Sequence, residues 1–178
     1  MTKVIAVVSQ KGGVGKTTTV VNLASWLALL GSRILVIDID PQGNAGNCLG
    51  FDKNKMSQGG ISDVLTGSTR LDSVCYRTVI KNLDLVPANI FDSPTEREFL
   101  NKVNINSFLL RDAIDLMNRS YDYIFIDSPP SIVTLPILAM TAADSVIIPL
   151  QCEFLSLTTM SRLLNLVVEV RAENNKWL

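Results

Sequence analysis

Two apolar, β-branched runs, residues 3–8 (KVIAVV) and 32–38 (SRILVID), flank a glycine-rich loop and a helix-like stretch over 17–30. This order constrains the fold more than any other feature of the chain. Apolar runs without polar alternation belong to strands buried on both faces. Strand, crossover helix and strand make a βαβ unit, whose strands run parallel. Gly31 stands where the helix C-cap belongs. The expected fold class is therefore α/β: a mostly parallel sheet with helices on both faces.

The rest of the chain continues the pattern. Residues 41–60 are rich in Gly, Asn, Asp and Lys and read as loop, and GISDVLTG reads as a short helix closed by Gly67. NLDLVPA reads as a strand, and SPTEREFL opens with Ser93 and Pro94, the chemistry of a helix start. Apolar residues at 105, 108, 109, 113, 116 and 117 predict a helix over 105–119. YDYIFIDSPP (121–130) and SVIIPL (145–150) read as strands, and the spacing over 156–171 predicts a last amphipathic helix. With 178 residues and no visible linker or repeat, residues 1–178 are expected to form one domain.

Composition narrows the function classes. Hydrophobic residues make up 47% and charged residues 19%, as in a globular chain. Net charge is −1 without a basic tract, so composition gives nucleic-acid binding no support. The longest greasy region carries Pro136 and Asp144 and does not read as one membrane-spanning helix. The first residues do not read as a signal peptide. Cys48, Cys75 and Cys152 show no CxxC spacing and read as free thiols of a reducing compartment. The sequence contains no histidine, so a base or metal ligand must be a carboxylate, a hydroxyl or a lysine.

The loop VVSQKGGVGKTTT carries the chemistry. Gly15, Lys16 and Thr17 supply the second half of the P-loop pattern between strand and helix, so the fold is expected to be P-loop NTPase-like. The pattern's first glycine would fall on Gln10, and Gly12 and Gly13 restore flexibility two positions later. Glycines let backbone N–H groups converge on phosphates, and the following helix adds its N-terminus. Lys16 is placed to neutralise the β and γ phosphates of ATP, and the Thr17 hydroxyl to bind Mg²⁺. The nucleotide-binding set expected from this pattern is Gly12, Gly13, Val14, Gly15, Lys16, Thr17 and Thr18. Lys11 is a second lysine that the pattern leaves unexplained; taken alone it reads as a solvated strand-end residue. Asp38 and Asp40 stand two apart at the carboxyl end of the second strand, the edge where parallel sheets bind ligands.

KGGVGKTT resembles the deviant Walker A loop of the ParA and MinD superfamily of ATPases, and DPQGN at 40–44 resembles its ParA/Soj partition branch. The resemblance implies an ATP-dependent homodimer in which Lys11 reaches the partner subunit's ATP and Gly12 allows close approach. It implies that Asp40 orients the attacking water, with Asp38 secondary, near the metal or its water shell. IFIDSPP is similar to the family's Walker B, so Asp127 would hold Mg²⁺ through a water. The PLQCE segment resembles the family's P-x-Q-x-E, which implies a place for Glu153 near the nucleotide or the dimer interface. The implied activity is weak, partner-stimulated ATP hydrolysis, with Lys11, Lys16 and Asp40 as catalytic residues. A ParB-like partner, a cytoplasmic location and no membrane anchor are implied too.

Family members continue beyond the helix at which this chain stops, with further strands, adenine-contacting loops and basic residues that touch DNA. The resemblance thus implies a sheet incomplete at its C-terminal end and puts non-specific DNA binding in question. Two other readings stay open: a nucleotide-dependent binding module without turnover, and an ATP-dependent ligase acting on a metabolite.

Overall fold

The computed structural model describes residues 2–89, 99–101, 103–131, 133–152 and 154–178. Its strands are β1 (Lys3–Val7), β2 (Ile34–Asp38), β3 (Tyr76–Arg77), β4 (Leu83–Val86), β5 (Tyr123–Asp127) and β6 (Ser145–Ile147). They form one sheet in the order β3-β4-β2-β5-β1-β6. All pairings are parallel except β3 with β4. The α/β expectation holds, and the βαβ unit is present with β5 inserted between its two strands.

Side-chain alternation divides the core between two layers. Ile34 and Val36 face α1 (Lys16–Leu29) and α2 (Asn44–Cys48), in a cluster with Val20, Ala24, Ala28, Leu85 and Phe125. Leu35 and Ile37 belong to the opposite cluster. There they meet residues of α3 (Ile61–Leu65), α4 (Leu109–Asp115), α5 (Thr134–Ala142) and α6 (Phe154–Glu173). Although α1 is apolar nearly all round, it buries only one face. Trp26 remains 64% exposed, and Leu29 and Leu30 are exposed too.

Several local expectations are corrected. Residues 41–60 are not all loop: they contain α2 and a 3₁₀ turn at Lys53–Lys55. The helix expected over 105–119 is confined to Leu109–Asp115. Asn106 breaks it, because its Oδ1 accepts the Phe108 N–H at 2.9 Å and offers the backbone a turn instead of a helical bond. At the other end the Asn118 and Arg119 N–H groups donate to the Asp72 carboxylate. The strand expected over 145–150 stops at Ile147, and α5 lies within the apolar run that was assigned no helix. Pro136 falls in the first turn of α5, where its missing N–H costs no helical bond. The short edge strand β3 was not anticipated. The helix start at Ser93 and Pro94, and Glu153, lie outside the described residues.

Candidate nucleotide-binding site

Strand register brings the carboxylates to the loop. Val7 and Asp38 both sit opposite Asp127 on the neighbouring strand, so β1, β5 and β2 end level at one edge of the sheet. The loop leaves β1 there and enters α1. Gly13 and Gly15 adopt φ of 75° and 90°, a region open to glycine at no steric cost. No side chain caps α1 and its first turn carries no acidic residue. Its leading N–H groups are thus available to an anion, with the helix dipole behind them.

Lys16 is only 6% exposed, and its Nζ donates to the Lys11 carbonyl at 3.3 Å. Burial pulls its pKa below the ordinary lysine value, and the Asp127 and Asp40 charges oppose that fall. Asp127 is fully buried, and neither carboxylate oxygen accepts a hydrogen bond of good geometry. Burial pushes its carboxyl up to about 6; the nearby Thr17 hydroxyl opposes the rise, the Asp40 charge adds to it and the Lys16 charge counters it. A buried carboxylate without partners is costly unless something cationic or hydrogen-bonding completes it. Here the completing groups would enter between Thr17 and Asp127.

The structure therefore gathers Lys16, Thr17, Asp40 and Asp127 around the loop 11–18. Asp38 lies opposite Asp127 in the strand register and anchors backbone. Its Oδ1 accepts the Asp40 N–H at 3.1 Å and its Oδ2 the Ala45 N–H at 3.0 Å. Each oxygen thus accepts one backbone N–H and holds the segment after β2 in place. Its carboxyl is pushed up to about 8, first by burial and then by the Asp127 charge, while the backbone N–H groups resist the rise. Asp40 is 6% exposed and its Oδ1 accepts the Gln42 N–H at 2.9 Å, which fixes the turn.

Two residues, Ser128 and Gln151, escaped the sequence reading, and Gln10 was read only as a departure from the P-loop pattern. Ser128 donates to the Val7 carbonyl at 2.9 Å and ties the exit of β5 to that of β1. Gln10 replaces the pattern's first glycine and buries its Nε2 without a hydrogen-bond partner. Gln151 reaches the P-loop from beyond β6: its Oε1 accepts from the Lys11 Nζ at 2.8 Å, and its Nε2 donates to the Gly13 carbonyl at 3.3 Å. Its place beside Glu153 in PLQCE was the available signal.

A parallel sheet whose first strand opens into a glycine loop and an uncapped helix, with a strand-end carboxylate alongside, defines a P-loop α/β nucleotide-binding domain. The family model described as an AAA domain matches residues 2–178. The chain is 44% identical over 175 residues to the sporulation initiation inhibitor protein Soj of Bacillus subtilis, covering 98% of this chain and 68% of Soj. It is 42% identical over 175 residues to the chromosome partitioning protein ParA of Caulobacter vibrioides, covering 97% of this chain and 65% of that protein. Cobyrinic acid a,c-diamide synthase from Mycobacterium smegmatis, solved with ADP and magnesium, superposes with a TM-score of 0.89 at 34% identity. That match covers 99% of this chain and 71% of the synthase. The chain belongs to the AAA-domain family that includes the Soj and ParA partition proteins. It spans about two thirds of the length of these relatives.

Proposed function

We propose that the chain binds Mg²⁺ and ATP and acts as a slowly hydrolysing, dimerising switch in chromosome or plasmid partition, with residues 1–178 working as one ATPase domain. One observation carries this reading: Lys16 and the unpartnered carboxylate of Asp127 are buried together beneath an uncapped helix N-terminus. The likeness to Soj and ParA supports the partition role, and the superposition on a structure with ADP and magnesium supports the ligands.

The donor set fits Mg²⁺, a hard cation that prefers oxygen ligands: the Thr17 hydroxyl and Asp127, whose oxygens lack partners. When bound, the ion supplies charge neutralisation on the phosphoryl group in transfer. The N–H groups of residues 12–18 cradle the phosphates, and Lys16 neutralises them from within the loop. Asp40 holds the attacking water, and its turn is kept in place by Gln42 and Asp38. Lys11 completes the site of a second subunit and so couples dimerisation to the nucleotide. A ParB-like partner protein accelerates turnover, and the protein works in the cytoplasm, on the nucleoid where it binds DNA. Among the described residues no helix is long and apolar enough to cross a membrane.

Phosphate release from ATP, measured with and without DNA, tests the reading. Lys16→Ala is expected to weaken ATP binding about 100-fold, the scale of a lost charge-assisted contact to phosphate. Asp40→Ala is expected to retain ATP while losing turnover. Unchanged ATP affinity in Lys16→Ala would overturn the site. Binding without turnover in the unaltered chain would favour a binding module instead. The likeness to the diamide synthase favours one further reading, ATP-driven ligation, which metabolite-dependent phosphate release would promote.

A further inference from the structure

We propose that Gln151 is a latch that holds Lys11 back over its own P-loop and thereby sets how readily Lys11 reaches a second subunit. This rests on the reading of Lys11 as the lysine supplied across a dimer. Four observations support it. A single carboxamide spans two points of the loop, accepting from the Lys11 Nζ at 2.8 Å and donating to the Gly13 carbonyl at 3.3 Å. Its orientation is determined by chemistry, since an ammonium only donates and a carbonyl only accepts. Both ends ride on adjacent parallel strands: β6 pairs with β1, and the ladder runs on through the Val8 N–H to the Ile147 carbonyl at 3.1 Å. Lys16 joins the arrangement through the Lys11 carbonyl at 3.3 Å, so the two lysines share one loop geometry.

The consequence is an exchange of partners. An extended Lys11 must leave the Gln151 oxygen, and the Gly13 carbonyl loses its donor when Gln151 moves. Dimer formation is therefore opposed by a contact made within the free subunit, and the residues after β6 gain a means of adjusting it. Gln151 acts through Lys11 and is a positioning residue.

The test begins without nucleotide. Amine-directed labelling of the intact chain is followed by peptide mass spectrometry, with the exposed Lys81 as internal reference. Gln151→Ala is expected to raise Lys11 labelling relative to Lys81 about tenfold, the scale of a hydrogen bond to a charged group. Gln151→Glu keeps an acceptor and makes it anionic, so it is expected to lower Lys11 labelling below that of the unaltered chain. Equal Lys11 labelling in all three proteins would overturn the latch. Sedimentation with Mg²⁺ and ATP then reads the consequence: Gln151→Ala should dimerise at lower concentration, and Gln151→Glu at higher. A labelling response without any shift in dimerisation would overturn the control of assembly. A Lys11→Ala chain that dimerises like the unaltered one would instead overturn the role given to Lys11 above, and the labelling result would be unaffected.

Discussion

Asp127 is the residue at which folding and ligand binding conflict most directly. It is fully buried, it lacks hydrogen-bond partners, and its carboxyl is raised to about 6 from an ordinary value near 3.8. A raised carboxyl binds its proton more tightly when folded than when unfolded. Its contribution is therefore fully present below about pH 4 and lost as pH rises through about 6. Asp38, raised to about 8, acts in the same direction further up the scale. The nucleotide-free chain is thus expected to lose melting temperature from about pH 4 to about pH 8, with the Asp127 share falling between about pH 4 and pH 6. The slope is at most about 1.4 kcal/mol per pH unit for each titrating group. Asp127→Asn should flatten that slope and raise the melting temperature at pH 8, while removing the benefit of Mg²⁺ to ATP binding. Calorimetry across pH and titration with and without Mg²⁺ measure both; an unchanged slope would show that the Asp127 carboxyl is not raised by burial and contradict this account.

Among elements, the segment from β2 into α2 shows how a strand end shapes a reactive turn. Asp38 accepts from Asp40 and Ala45, and both bonds are buried. Asp38→Ala strands two backbone N–H groups, at about 1–3 kcal/mol each. Hydrogen exchange at residues 40 and 45 should accelerate by about tenfold or more, with turnover falling as Asp40 loses its place. Protection equal to that of the unaltered chain would contradict the anchoring role. This element also shows what the sequence could convey. The βαβ unit and the loop 11–18 were legible because their signals are local: apolar runs, glycines and a Lys-Thr pair. The double use of Asp38 was not, since spacing places a carboxylate at a strand end without naming its donors. The helix over 105–119 misled for a related reason. Its periodicity is real, but one Asn106 side chain diverts the backbone. The PLQCE motif pointed to the segment of Gln151, but its contact with Lys11 was not legible because the two lie 140 residues apart.

For the whole molecule, the order β3-β4-β2-β5-β1-β6 puts the P-loop strand between the strand bearing Asp127 and the strand leading to Gln151. One sheet edge thus joins the phosphate loop, the carboxylates and the latch. The site is built from chain segments far apart in sequence, so nucleotide binding should stabilise the domain as a unit, by about 2.7 kcal/mol at a concentration 100 times Kd. The central claim is that ATP assembles two copies through Lys11. Light scattering after size exclusion, with Mg²⁺ and either ATP or ADP, tests it most directly on the unaltered chain, Asp40→Ala and Lys11→Ala. The account predicts twice the monomer mass with ATP alone, retained in Asp40→Ala and abolished in Lys11→Ala. A monomer in every condition, or a dimer that ignores both nucleotide and Lys11, would contradict it.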